Sequence, residues 1–214
     1  MSLLRFYAAN SGEALQLLLQ HLLLVLASTS LAVAIGVPLG IVLTRRPRLR
    51  GPVLGVANVF QTIPSLALFG FLIPLPFLGG IGARTAVVAL VVYALLPIIR
   101  NTYAGIQGID PAVREAGLGM GLTSGELLKL VELPLSLGFI MAGVRIATVI
   151  GVGVATIAAA IGAGGLGVYI FRGVAMVNDT LILAGALPAA VMALGFDWVL
   201  GRLEKRLTPR GVRA

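Results

Sequence analysis

The 214-residue chain has no cysteine, a single histidine and a single tryptophan, and only 11% of its residues are charged. Without cysteine there are no disulfides, no cysteine nucleophile and no thiolate metal site. One imidazole, His21, with no carboxylate pair beside it, does not make a metal centre; it reads as a residue of the membrane interface. Ser28, Thr29 and Ser30 have no base partner, so no nucleophile triad can be assembled from them. The pattern GxxxxGK[ST] occurs nowhere, so the chain carries no phosphate-binding loop of its own. The shortage of charge excludes most. A soluble domain has about 25% charged residues. A chain that is 58% hydrophobic, with a mean hydropathy of +1.04, belongs in a bilayer.

Five apolar spans account for most of the length. They are expected over residues 22–43, 53–78, 81–99, 138–161 and 181–200. The first would form a helix of roughly 33 Å, enough for a hydrocarbon core of about 30 Å. The second is interrupted by "QTIPS" and by Pro74 and Pro76, which predicts a broken helix. Arg84 near the start of the third can snorkel to the headgroups. Asp179 and Thr180 read as the cap of the fifth. The 28 glycines and 11 prolines suit close-packed and broken membrane helices. The opening "MSLLRFYAANSGE" lacks the charged-then-apolar layout of a cleavable signal, so the first span is expected to remain in the membrane. No internal repeat is visible, which weighs against a secondary transporter built from inverted halves. No catalytic pair lies in the spans, which weighs against an intramembrane enzyme. One membrane domain over residues 1–214 is expected.

The net charge is +8. On a soluble chain that would suggest nucleic acid, but here Lys and Arg cluster beside apolar spans, so the charge reports topology. Thirteen of the 16 basic residues fall in the loop at 44–51, the 100–145 region and the C-terminal tail. Arg5, Arg84 and Arg172 fall elsewhere. The N-terminus is therefore expected outside and the C-terminus in the cytoplasm.

Between spans three and four lies a charged interruption, "DPAVREAGLGMGLTSGELLKLVELPL", with Asp110, Arg114, Glu115, Glu126, Lys129 and Glu132. It reads as two short helices around a bend. Asp110 and Pro111 suit an N-cap and first turn. Gly117, Gly119 and Gly121 supply the bend. Thr123 and Glu126 fit a capping box, and Pro134 marks the return to the membrane. Leu118, Met120 and Leu122 are apolar knobs suited to a soluble partner.

"EAGLGMG" followed by "VELP" resembles the EAA loop of ABC-importer permeases. The family pattern is Glu-Ala-Ala, three residues, Gly, nine residues, Ile, one residue, Leu-Pro. Here Glu115, Ala116, Gly121, Leu133 and Pro134 match it, while Gly117 stands for the second Ala and Val131 for Ile. "ANVFQTIPSLALFGFLIPL", "YALLPIIRNTYAGI", "IGAGGLGVYIFRG" and "RLEKRLTPRG" resemble the permeases of glycine betaine, choline and carnitine importers. The resemblance implies an all-α type I importer fold, with residues 100–137 as the cytoplasmic coupling loop. It implies two cytoplasmic ATPase subunits that bind the ATP, a second permease and an extracytoplasmic binding protein. A permease for another small solute such as methionine is the alternative, since the EAA loop is shared across importers.

Three further stretches leave two readings each. Gln61, Thr62, Pro64 and Ser65 either line a pathway or kink a packed helix. "GAGGLG" at 162–167 lacks the Lys-Ser/Thr of a phosphate loop; it reads as a turn for close helix approach, and by resemblance as an outer loop meeting the binding protein. Asp197 is expected to reach the interface or Arg202. Arg145 is expected to snorkel inward or to pair with Glu132 or Glu115.

Overall fold

A computed structural model of the protein describes residues 3–77 and 79–208; Leu78, Arg210 and Arg213 lie outside the described residues. Those described form helices α1 (Leu3–Ala9), α2 (Ser11–Arg45), α3 (Pro47–Thr62), α4 (Ser65–Leu72) and α5 (Ala83–Gln107). Then come α6 (Pro111–Gly119), α7 (Ser124–Leu127), α8 (Leu133–Ala158), α9 (Gly167–Ala175) and α10 (Asp179–Leu207). No strand occurs among the described residues, and the all-α expectation holds. Four helices are long and apolar enough to cross a membrane, or five if the bent pair α3 and α4 is one span.

The helices outrun the apolar spans. The first is 35 residues long, and α5 runs on through Arg100 to Gln107. Charge ends a membrane span but not a helix, because Arg is a good helix former. The Asn101 side chain folds back on the same helix, donating to the Pro97 carbonyl at 2.8 Å. The non-helical part of the expected 100–137 loop therefore shrinks to residues 108–110 and 120–123.

The return to the membrane is also not the break that Pro134 suggests. Residues Leu128–Glu132 form a π-helical turn that joins α7 directly to α8, giving one helical run over Ser124–Ile161. Proline has no N–H, and its ring would strike the carbonyl four residues back. The wider turn absorbs this, and the Leu133 N–H bonds the Leu128 carbonyl five residues back.

The core is α2, α5 and α8, packed through glycine. A Cβ on Gly36 would lie 2.8 Å from Ile98, one on Gly40 would lie 2.6 Å from the Thr102 Cβ, and one on Gly143 would lie 2.8 Å from the Pro97 carbonyl. Without a driving force from water, membrane helices gain by such backbone approach. Towards one end, α4 plugs the bundle: Phe69 is buried among Leu90, Tyr93, Val152 and Ala155.

Candidate coupling segment and pathway break

The charged segment and the other basic stretches meet at one end of the bundle. Arg45 reaches Glu132, Arg50 stacks 4.8 Å from the Tyr103 ring centroid, and Gly138 lies against Thr208. At the opposite end Arg172 pairs with Glu13 at 2.5 Å and Arg84 donates to the Phe77 carbonyl.

Within the segment, Asp110 caps α6, its carboxylate accepting from the Ala112 N–H at 2.9 Å. Thr123 and Glu126 form the capping box: the Thr123 N–H donates to Glu126 at 2.8 Å, and the Thr123 hydroxyl oxygen accepts from the Glu126 N–H at 3.4 Å. The bend is narrower than three glycines suggest. Gly117 and Gly119 are inside α6, and Gly121 alone of the three has positive φ, +86°. Gly117 is buried, and a Cβ there would stand 2.6 Å from the end of Leu127. That close approach folds α6 onto α7.

The motif residues thus divide by position. Glu115 and Ala116 are exposed, and beside them Leu118 and Met120 are 53% and 77% exposed. Gly121 makes the turn, and Val131, Leu133 and Pro134 are half-buried at the root of the long helix. Large apolar side chains facing out from a polar helix surface are the mark of a docking face.

Glu132, expected as one partner of Arg145, is paired elsewhere. Glu132 is fully buried, and its carboxylate is held by Arg45 at the end of α2 and by Arg114 of α6 at 3.1 Å. Arg114 also donates to the Ile106 carbonyl near the end of α5. The signal was present: a carboxylate inside the apolar run "LVEL" must find cations or not be buried at all. Arg145 takes other partners, Glu204 at 3.5 Å and Asp197 at 3.8 Å. Asp197 therefore does not serve Arg202, which instead lies over the Trp198 ring.

The "QTIPS" stretch is a true helix break. The residue before proline is pushed out of the α region, and Ile63 sits at ψ 127°. Helices α3 and α4 meet there at 104°. Gln61 and Ser65 are half-buried, while Thr62 and Pro64 are exposed. The Thr62 hydroxyl donates to its own helix, at the Val59 carbonyl, 2.7 Å away. The Tyr93 hydroxyl donates to the Ile63 carbonyl. Tyr93 is ten residues into α5, so the break packs about 15 Å along that helix from its start, well inside the bundle.

At the end of the bundle opposite the charged segment two neighbouring side chains clamp the 162–167 loop. Gln20 accepts from the Gly165 N–H at 3.1 Å, and His21 Nδ1 accepts from the Leu166 N–H at 3.3 Å. The other ring nitrogen, Nε2, is 3.2 Å from the Val152 carbonyl. His21 is thus fully buried rather than interfacial; an imidazole with one donor and one acceptor nitrogen suits a site offering one of each. In the same region burial, and then the Glu13 carboxylate, push the Tyr169 hydroxyl up to about 12. Asn178, not Asp179, caps α10, its side chain accepting from the Leu181 N–H at 3.2 Å.

The family model described as binding-protein-dependent transport system inner membrane component matches residues 36–209. The chain belongs to that family. Among similar proteins are the carnitine transport permease protein OpuCB of Listeria monocytogenes, 45% identical over 99% of this chain and 96% of the relative, and the osmoprotectant import permease protein OsmW of Salmonella typhimurium, 45% identical over the full length of both. The choline transport system permease protein OpuBB of Bacillus subtilis is 44% identical over 99% of this chain and 96% of its own. Of solved structures, an inward-facing MetNI methionine ABC transporter chain superposes with a TM-score of 0.83 at 24% identity, covering 92% of this chain and 97% of that one. An amino acid ABC transporter chain gives 0.78 at 20% identity, covering 96% and 99%. At those identities the likeness is one of fold. The protein is a multi-pass inner-membrane transport component with the fold of an ABC-importer permease.

Proposed function

We propose that this chain is the permease of an ATP-driven importer for glycine betaine, choline, carnitine or similar quaternary ammonium solutes. The observation that carries the reading is the contrast in likeness. Identity is 43–47%, over at least 95% of this chain, to permeases named for carnitine, choline, glycine betaine or osmoprotectants, against 24% for the methionine system of the same fold. In this reading a second permease, of this chain or a sister, completes the pathway. Two cytoplasmic ATPase subunits bind and hydrolyse the ATP, so the chain itself holds no cofactor and catalyses no hydrolysis. An extracytoplasmic binding protein delivers the solute, and no nucleic acid takes part.

The exposed face of α6 would dock on the ATPase, through Glu115, Ala116 and the apolar Leu118 and Met120. Gly117 and Gly121 would set its shape, and Val131, Leu133 and Pro134 would pass its motion to α8. The three basic stretches gathered at one end favour placing that end, and the C-terminus, in the cytoplasm. Gln61, Thr62, Pro64 and Ser65 would border the pathway, since helices broken inside the bundle are where transporters hold their cargo.

The test is uptake. A strain lacking its own osmolyte importers would express this chain with the ATPase and binding protein encoded beside it. Radiolabelled glycine betaine, choline, carnitine and methionine would be offered in turn. ATP-dependent accumulation of a quaternary ammonium solute is expected; accumulation of methionine alone would overturn the substrate class.

A further inference from the structure

The buried carboxylate of Glu132 faces cations from two different parts of the fold. Arg45 comes from the last turn of α2, 87 residues earlier in the chain. Arg114 comes from α6, on the far side of the Gly121 turn. Arg114 also binds the Ile106 carbonyl in the last turn of α5. One carboxylate and two guanidinium groups thus join α2, α5, α6 and the π-helical root of α8 at a single point.

Covalently, α6 is attached to the membrane helices only through two short turns, at 108–110 and 120–123. Helix α6 packs chiefly on α7, so a force on its exposed face has little packed surface by which to reach α2. The Arg114–Glu132–Arg45 bridge supplies that connection. Its geometry is demanding: a carboxylate with no exposed surface has no water to replace a partner that withdraws, so the three groups move together or the charge is stranded.

We propose that Glu132 is a positioning residue for energy coupling, tying the docking helix α6 to the inner end of α2. This rests on the coupling role given to α6 above. The tie is not needed for docking, because the docking face looks away from it: Glu115, Leu118 and Met120 are exposed while Glu132 is fully buried. It is needed for helix α2 to follow when α6 is displaced. Glu132→Gln keeps the shape and removes the charge that holds both guanidinium groups.

The experiment uses the whole complex, permease with its ATPase and binding protein, reconstituted in liposomes. Three quantities are read: ATPase recovered with the permease, ATP turnover stimulated by loaded binding protein, and solute moved per ATP. Glu132→Gln should retain ATPase recovery and stimulated turnover within about twofold of the parent, while solute per ATP falls tenfold or more. Arg45→Gln, at the half-exposed end of the bridge, should give the same pattern more weakly, and Glu132→Asp should restore part of the ratio. Unchanged solute per ATP in Glu132→Gln would overturn the proposal. Parallel loss of assembly, turnover and transport in both Glu132→Gln and Arg45→Gln would overturn it too, since that marks a purely structural role. If the parent permease recovers no ATPase, the coupling role of α6 fails instead, and the two failures are told apart by that control.

Discussion

The hydroxyl of Tyr93 donates a hydrogen bond to the carbonyl of Ile63. That carbonyl belongs to the residue that ends α3, so the break before Pro64 would leave it without a helical partner. In lipid an unsatisfied backbone group costs several kcal/mol, and a lone aromatic side chain from α5 meets the need. Tyr93→Phe removes only the oxygen. It should lower stability by about 1–3 kcal/mol, the cost of a stranded buried acceptor. Thermal unfolding in detergent checks this; an unchanged midpoint would mean the carbonyl finds another donor.

Glycine positions in the core should respond according to their space. Gly40→Ala places a methyl 2.6 Å from the branched Cβ of Thr102 and 3.1 Å from the Ile99 carbonyl, neither of which can rotate away. Overpacking of this kind costs about 1–3 kcal/mol. Gly153→Ala, also in a long helix but with nothing within 4 Å, should be neutral or gain about 0.5–1 kcal/mol from helix propensity. Equal effects in a detergent-melt comparison would count against the α2–α5 packing described here.

The turn after α6 offers a sharper contrast. Gly121 has open space around it but φ of +86°, so the obstacle to a side chain there is conformational. Gly121→Val should cost on the order of 1–3 kcal/mol in that backbone region, enough to lose about tenfold or more of a docking equilibrium. Gly119→Ala, helical and unobstructed, should be silent. Glu115→Lys reverses the charge on the exposed face and should weaken docking without touching insertion. Co-purification of the ATPase with each variant reads these outcomes; full recovery in both Gly121→Val and Glu115→Lys would remove α6 from the coupling scheme.

Substitution of Gln61 or Thr62 should change transport rate rather than the preferred solute, if the binding protein selects. Competition uptake with choline and glycine betaine measures this. A clean switch of preference from one change at the break would place recognition in the permease.

Orientation is open to direct test. With 13 of 16 basic residues grouped in three stretches, a reporter fused after Ala214 should be active in the cytoplasm. Activity outside the cell alone would turn the docking face away from any ATPase.

The caps of the charged segment and the break were legible because their causes are local, while the cap of α10 was placed one residue late. Asp110–Pro111, Thr123 with Glu126, and Pro64 each act within four residues, and the fold realises all three. The helix boundaries were not, because hydropathy senses where lipid ends and says nothing of where hydrogen bonding stops; Arg100, inside α5, is the clearest case. The continuous passage through Pro134 was hidden for a related reason. A proline rule written for α geometry does not foresee a helix that widens locally to accept it. The burial of His21 and the pairing of Glu132 were not legible, because burial of a polar group depends on partners far along the chain: Val152 and Leu166 for one, Arg45 for the other. The short helices α1 and α9 carry too few apolar residues to register as spans, and their packing around Tyr7 and Tyr169 appears only in three dimensions.

The widened turn at Leu128–Glu132 also has a mechanical consequence. The chain passes from the capping box of Thr123 to Ile161 without leaving helical geometry, so no non-helical loop interrupts this run. Thirty-eight residues of helix would measure about 57 Å along a straight axis, and a tilt of about 10° at one end would shift the other by about 10 Å. The Ile161 end runs into the loop clamped by Gln20 and His21. A tilt begun at the Thr123 end would therefore arrive at the Gln20–His21 clamp as a sideways push, less whatever the π-helical turn takes up by bending.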